Sequence, residues 1–275
     1  MISGSELVAT VGTKSMTSSP KIKAILYDMD GLLLDTENFY TDVTQHIVSR
    51  FGKIFDWSIK SQMLGRPALE SARTLVRVLE LPIRPEDYLT ERKALLNQRF
   101  PEAEAMPGAI KLTQRMKMAG VPQAVATSST KEAYTLKTTK HQKWFAEFDA
   151  IVTGDHPDIQ NGKPAPDIFL AAARKLGVAP NECLVFEDAP AGVETARAAG
   201  MSVVVVPDPQ MDKKMVKDAD QKLNSLLEFE PSDWSLPNLI YFHFYLIHMA
   251  CGEFTCSHLQ KRGGLAACLL FYLPL

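Results

Sequence analysis

The chain has 275 residues, of which 23% are charged and 46% hydrophobic, and its formal net charge is -2. These values are typical of globular proteins and exclude a collagen-like, coiled-coil or intrinsically disordered chain. The balance of 30 basic against 32 acidic residues argues against a broad surface for nucleic acid or anionic membrane. We therefore expect no nucleic-acid partner, no membrane partner, and a monomer with one domain and a subdomain.

Cysteine usage indicates a reducing compartment. The chain has four cysteines, and three of them lie after residue 250, whereas a disulfide framework would spread them through the fold. Residues 1–20 are rich in Ser and Thr and contain a single basic side chain, Lys14, which is fewer than a transit peptide usually carries. We expect a disordered leader over residues 1–20 and a cytoplasmic protein. Whether the leader is a targeting segment stays open.

Short apolar segments alternate with helical patterns along most of the chain. Strands are predicted at residues 22–27, 123–127, 148–152, 183–186 and 202–206. Helices are predicted at residues 37–51 with Thr36 as the N-cap, 69–79, 88–100, 109–119, 166–176 and 191–199. Strands that alternate with helices predict βαβ units. The expected fold class is α/β, a Rossmann-like doubly wound parallel sheet.

Two stretches depart from this alternation. Residues 37–105 contain helical patterns alone and predict an inserted helical cap subdomain, which divides an α/β core of residues 21–36 and 106–232. Residues 233–275 include two apolar stretches, each too short to span a bilayer as a helix. We expect this segment to be an atypical apolar C-terminal extension of a finished domain, with its role left open.

Pairs of acidic residues follow two of the predicted strands. Asp28 and Asp30 come after the first strand, and Glu187 and Asp188 end the fourth. Ligands bind off the carboxyl ends of strands in a parallel sheet, so the carboxylates are expected to face one site. An Asx turn is an alternative explanation for the first pair. Clustered carboxylates stay ionised when they surround a divalent cation, and oxygen ligands favour Mg²⁺.

Groups suited to bind an anion follow two further strands, the second and the third. Thr127 and Ser128 begin a hydroxyl-rich turn that enters a helix, where they could bind an anion or act as an N-cap. Lys163 lies between Gly162 and Pro164, which suggests a positioned side chain rather than a solvated one. A cation, a lysine and hydroxyl donors together can bind a phosphoryl group and stabilise its transfer.

The four motifs together resemble the signature motifs of the haloacid dehalogenase superfamily, in type, order and approximate spacing. They are DMDG at residues 28–31, VATSS at 125–129, KPAPD at 163–167 and EDAPAG at 187–192. The resemblance covers about residues 21–230. It is greatest to the branch with a helical cap, which includes pseudouridine-5'-phosphatase and the plant-type glycerol-3-phosphatases.

The resemblance implies a phosphomonoester hydrolase that forms an aspartyl-phosphate. Asp28 would be the nucleophile, and Asp30 would protonate the leaving group and then deprotonate the attacking water. Mg²⁺ would be held by the Asp28 side chain, the Asp30 backbone carbonyl and Asp188, with Glu187 acting through water or behind these ligands.

The resemblance also implies how the substrate is held. Thr127, the backbone amides near Ser128, and Lys163 would bind the phosphoryl group. Gly65 and Arg66 lie where the cap could face the site and select the substrate. A small phosphorylated metabolite is expected, with pseudouridine 5'-phosphate as the first candidate and glycerol 3-phosphate next.

Two other functions remain as alternatives. A phosphosugar mutase of the same family would carry a His where Tyr40 stands and an Arg at the position aligned with Ala68, so both residues disfavour it. A non-catalytic binding protein on the same fold would have no need to retain both Asp28 and Asp30. A hydrolase is therefore the favoured function.

Overall fold

The computed structural model of the chain describes residues 21–63 and 68–237. The predicted leader, the extension beyond residue 237, and the predicted substrate-selecting residues Gly65 and Arg66 lie outside the described residues.

The sheet has six parallel strands in the order β3-β2-β1-β4-β5-β6. The strands are β1 (Ala24–Tyr27), β2 (Gln123–Thr127), β3 (Ala150–Thr153), β4 (Cys183–Glu187), β5 (Ser202–Val205) and β6 (Gln221–Lys222). The chain builds one half of the sheet through β2 and β3, then returns to build the other half from β4. This topology confirms the predicted doubly wound α/β class and makes the gap between β1 and β4 its switch point, where such folds bind ligands.

A helical insertion connects β1 to the rest of the sheet. Its helices are α1 (Glu37–Ser49), α2 (Trp57–Lys60), α3 (Ala68–Leu79) and α4 (Pro85–Arg99), followed by a short 3₁₀ turn at Phe100–Glu102. The insertion has its own apolar core, in which Val43 and Ile47 of α1 meet Leu75 of α3 and Leu96 of α4. A separate core lets this part of the chain keep its shape beside the sheet.

Five further helices follow, and the longer ones cover both faces of the sheet. They are α5 (Ala109–Met118), α6 (Lys131–Lys137), α7 (Gln142–Phe145), α8 (Asp167–Leu176) and α9 (Pro190–Ala198). Alternate residues of β1 serve opposite faces: Ile25 and Tyr27 pack in the core with α5 and α7, and Leu26 packs in the core with α8 and α9. Burial on both faces explains why the strands read as continuous apolar runs.

The structure corrects one local prediction and excludes one alternative. Thr36 precedes α1 but makes no side-chain capping bond; its hydroxyl donates to Asp30 at 2.7 Å instead. The helix after β2 is capped by Thr130, which accepts from the Ala133 amide at 3.3 Å, rather than by Thr127. In addition, α2, α7 and β6 were not predicted, and the helix after β2 was predicted without bounds, because elements this short show too few turns or alternations to reveal a period. None of the helices in the described parts of the chain combines the length and the apolar character needed to span a bilayer.

Candidate active site

Three of the predicted acidic residues meet at the carboxyl ends of β1 and β4. The Asp28 amide donates to the Phe186 carbonyl at 3.0 Å, so the chain leaving β1 stays in register with the end of β4. Glu187 is the last residue of β4, and Asp188 follows it. One carboxylate oxygen from each of Asp28, Glu187 and Asp188 lies within 4.8 Å of the others. Residues far apart in the chain therefore form one acidic cluster.

Lys163 is the cation that faces this cluster. It reaches in from the loop between β3 and α8, and its side chain is 10% exposed. Its ammonium group donates to Asp28 Oδ1 at 2.6 Å and also to Glu187 Oε1. Although burial opposes its charge, the two carboxylates hold the Lys163 pKa above its usual range. The lysine is therefore ionised and oriented by the cluster.

One ammonium group does not balance three clustered carboxylates, of which Asp28 and Glu187 are buried and Asp188 is half-buried. Burial raises the pKa of Asp28 to about 7, with Glu187 and Asp30 adding to the effect and Lys163 opposing it. Burial also raises the pKa of Asp188 well above its usual range, and the charge of Glu187 raises it further. A further positive charge beside these carboxylates would stabilise their ionised forms.

The residues present fit a divalent cation. Their donors are all carboxylate oxygens, which hard cations such as Mg²⁺ prefer. Glu187 is 1% exposed, and its Oε2 accepts from the amides of Asp188 and Ala189 at 3.0 and 3.1 Å, so its orientation is fixed by the backbone. Gly192 makes room for it, because a Cβ there would lie 1.8 Å from the Glu187 carboxyl group.

The Asp30 carboxylate lies outside the acidic cluster and has partners of its own. Its Oδ1 accepts from Thr36 at 2.7 Å and from Lys137 at 2.5 Å, and its Oδ2 accepts from Ser129 at 2.8 Å. Burial opposes its ionisation, but the Lys137 charge and these hydrogen bonds outweigh burial and lower the Asp30 pKa. The two aspartates of the DMDG motif thus occupy different environments, one with a raised pKa and one with a lowered pKa.

The hydroxyl-rich turn after β2 lies beside Asp30. The buried Thr127 hydroxyl accepts from the Ser129 amide at 3.0 Å and donates to Asp30 Oδ2 at 3.3 Å. Ser128 is exposed, and its carbonyl lies against Gly154, where a Cβ would come within 2.4 Å of the oxygen. The turn is therefore held between Asp30 and the end of β3.

Sequence reasoning missed Lys137 and Ser129, which both contact Asp30. Lys137 is the last residue of α6, and its side chain is 1% exposed. A lysine is normally an exposed residue, and α6 is too short for a hydrophobic pattern to mark the buried face. No signal in the sequence would have identified it.

The chain matches the haloacid dehalogenase-like hydrolase family over residues 22–200. It is 46% identical over 221 residues to (DL)-glycerol-3-phosphatase 2 of Arabidopsis thaliana, covering 78% of this chain and 92% of that protein. It is 42% identical over 220 residues to a probable pseudouridine-5'-phosphatase of Drosophila melanogaster, covering 79% of this chain and 95% of that protein.

A solved structure agrees with the fold. The structure of a putative β-phosphoglucomutase from Thermotoga maritima is 28% identical, covers 74% of this chain and 94% of its own, and superposes with a TM-score of 0.60. The acidic cluster, its lysine and these matches lead to one conclusion: the chain belongs to the haloacid dehalogenase-like hydrolase family.

Proposed function

We propose that the chain is a Mg²⁺-dependent phosphomonoester hydrolase that acts on a small phosphorylated metabolite. The observation that carries the proposal is the convergence of Asp28, Glu187 and Asp188 on one site, with Lys163 bonded to Asp28 Oδ1 at 2.6 Å. This arrangement places a carboxylate nucleophile, a set of oxygen ligands and a cation for phosphate within one small volume. A phosphatase needs these three groups together.

Asp28 is the proposed nucleophile. Lys163 binds its Oδ1 and leaves Oδ2 to attack phosphorus, which gives an aspartyl-phosphate as the P–O bond to the leaving group breaks. The Asp28 side chain, Asp188 and the Asp30 backbone carbonyl would hold Mg²⁺, with Glu187 supporting them. The bound ion would supply positive charge that stabilises the phosphoryl oxygens. The same phosphoryl oxygens would be bound by Thr127, the amides near Ser128, and Lys163.

Asp30 is the proposed acid and base. Because its lowered pKa leaves Asp30 ionised in the free chain, it would take up a proton as the negatively charged phosphate binds beside it, give that proton to the leaving alkoxide, and later take one from the water that attacks the aspartyl-phosphate. The proton gained in the second step restores the acid for the next cycle. The Asp30 carboxylate lies beside Thr127, at the edge of the proposed phosphate site, which is a suitable place for both transfers.

Pseudouridine 5'-phosphate and glycerol 3-phosphate are the first substrates to test. Relatives named for each substrate match this chain with similar identity, so we keep pseudouridine 5'-phosphate as the first candidate and glycerol 3-phosphate as the second. We propose that the helical insertion acts as a cap over the site and that Gly65 and Arg66 in it select between substrates. We also propose that the protein is a monomer and is cytoplasmic, the latter because its cysteine distribution is typical of a reducing compartment.

The test measures phosphate release by the purified chain from p-nitrophenyl phosphate and from the two metabolites. We expect release with Mg²⁺, loss of release with excess EDTA, and a loss of at least about 1000-fold in Asp28→Asn, since the nucleophile is gone. Asp218→Asn, a change at an exposed aspartate, is the matched control. Release that survives both EDTA and Asp28→Asn would refute the mechanism.

The same assay separates the alternatives. Conversion of one sugar phosphate isomer into another without free phosphate would indicate a mutase, and binding without turnover of any ester would indicate a binding protein. The ratio of kcat/KM for the two metabolites assigns the substrate.

A further inference from the structure

Lys137 is a charged side chain buried at the junction of the helical insertion and the sheet. Its side chain is 1% exposed, and it ends α6. Removing an ammonium group from water is energetically unfavourable, and an apolar residue of similar volume would fill the same space without that cost. The charge of Lys137 is therefore expected to have a role beyond packing.

All three protons of the ammonium group have partners. Lys137 donates to Asp30 Oδ1 at 2.5 Å, to the Ser129 hydroxyl at 2.8 Å and to the Tyr40 hydroxyl at 3.0 Å. The ring of Phe100 lies 4.4 Å from Nζ and adds a cation–π contact. Since a lysine has three donors and no more, its direction is fully determined by these partners.

The partners come from separate parts of the chain. Tyr40 belongs to α1, Phe100 to the 3₁₀ turn after α4, and Ser129 to the turn after β2. Lys137 thus joins the insertion to the turn that lies beside the proposed phosphate site, and the negative charge among its partners is that of Asp30.

We propose that Lys137 is a positioning residue that fixes the orientation of the Asp30 carboxylate beside the phosphate-binding turn. The inference rests on the acid–base role proposed above for Asp30. Lys137 acts through Asp30 rather than on the substrate. Without its ammonium group, the carboxylate keeps neutral hydroxyl partners, Thr36 and Ser129, and loses the ion pair that restrains it.

The role can be tested through the leaving group. An alkoxide needs a proton from Asp30 to depart, whereas p-nitrophenolate departs without one. The parameter kcat/KM reports the steps up to and including departure of the leaving group. It therefore isolates phosphoryl transfer to Asp28 from the later hydrolysis of the aspartyl-phosphate. We expect Lys137→Met to lower kcat/KM about 100-fold for whichever metabolite the wild type hydrolyses. For p-nitrophenyl phosphate we expect a loss of less than about tenfold, since no proton transfer is required there.

A double-mutant cycle with Asp30→Asn shows whether Lys137 works through Asp30. When Asp30 is already neutral, adding Lys137→Met should change kcat/KM by less than about twofold for either ester, because the two changes remove the same interaction. Lys131→Met, at an exposed lysine in the first turn of the same helix, is the control and should match the wild type.

The outcomes separate the inference from the proposed function. The quantity compared is the ratio of kcat/KM for the metabolite to kcat/KM for p-nitrophenyl phosphate. If the wild type is active and Lys137→Met has the wild-type ratio, the role of Lys137 is refuted and the proposed function is not. Equal losses on both esters that persist in Asp30→Asn would mean that Lys137 only supports the fold, which also refutes it. A wild type that hydrolyses no ester refutes the proposed function, and an Asp30→Asn variant with the wild-type ratio refutes the acid role of Asp30 and the inference with it.

A milder variant keeps the test decisive if Lys137→Met does not fold. Tyr40→Phe removes the hydroxyl oxygen that accepts a hydrogen bond from the Lys137 ammonium group, and it changes no charge. We expect it to shift the ratio in the same direction by about threefold, the effect of weakening one hydrogen bond. A Tyr40→Phe protein with the wild-type ratio would then count against the proposal.

Discussion

Lys163 Nζ lies 2.6 Å from Asp28 Oδ1, although 135 positions separate the two residues in the chain. The pair is almost fully buried, with side-chain exposures of 10% and 9%. Each charge therefore depends on the other, since a buried ion without its partner is costly.

The first prediction follows from this pair. Lys163→Met should lower kcat/KM on all phosphate esters by about 100-fold or more, because a charged donor to the phosphoryl group is lost. The melting temperature of the metal-free protein should also fall, since Asp28 and Glu187 lose their shared cation. Steady-state kinetics and thermal unfolding are the measurements. The control is Lys175→Met, an exposed lysine in the last turn of α8; retention of half the activity by Lys163→Met would contradict the prediction.

The second prediction concerns pH and the metal-free fold. The Asp28 pKa is raised to about 7 in the folded chain, so the native state binds a proton that the unfolded state has released. Stability from this group is therefore full below the unfolded pKa of about 3.9, is lost progressively as pH rises to the folded pKa of about 7, and stays constant above it. We expect the melting temperature in EDTA to fall between pH 6 and pH 8, and Mg²⁺ to raise it more at pH 8. A metal-free melting temperature that rises over this range would contradict the assignment.

Metal affinity gives a third prediction from the same group. A protonated Asp28 cannot bind a cation, so Mg²⁺ binding must release protons. We expect the affinity measured by titration calorimetry to fall as pH drops below 7, by up to about tenfold per pH unit for each proton released. Proton release is checked independently by comparing buffers of different ionisation enthalpy. An affinity that is constant from pH 6 to pH 8 would show that these carboxylates do not hold the ion.

A fourth prediction uses two glycines of the site region. In Gly192→Ala the new Cβ would meet the Glu187 carboxyl group at 1.8 Å, so Glu187 must leave its amide partners. We expect a loss of Mg²⁺ affinity and of kcat. Gly162→Ala is the matched control, because Gly162 is exposed and a Cβ there meets nothing within 4 Å. The two variants are compared by calorimetry and by kinetics, and equal behaviour would mean that the position of Glu187 is unimportant.

The fifth prediction concerns Thr36, whose hydroxyl bonds to Asp30 at 2.7 Å. Thr36→Val keeps the shape of this buried side chain and removes its donor to a carboxylate. We expect the free energy of unfolding to fall by about 1.5–3 kcal/mol, the usual value of a hydrogen bond to a charged group. Thr135→Val, at an exposed threonine of α6, should change it by less than about 0.5 kcal/mol. Denaturant unfolding at pH 7 measures both, and equal effects would refute a special contribution from Thr36.

Much of the fold could be predicted from local patterns. The apolar runs that form β1, β2, β4 and β5 are buried on both faces of the sheet, so their sequences carry a strong and continuous signal. The longer helices α3, α5 and α8 also follow their predicted bounds to within about two residues, the usual uncertainty of helix ends. The short elements α2, α6 and α7 lack enough turns to show a period, and packing alone decides them.

The sequence by itself determined the chemistry of the proposed site. The acids, the hydroxyl turn and the lysine each follow a strand, and the carboxyl ends of parallel strands share one edge of a sheet, so their meeting followed from topology. Only the tertiary structure decided which partner each acid has. Asp28 and Asp30 differ by two positions, yet one faces Lys163 and the other Lys137. The physical reason is that the pKa of each carboxylate depends on which opposite charge the packed chain brings within hydrogen-bonding distance. A local sequence pattern does not encode that distance.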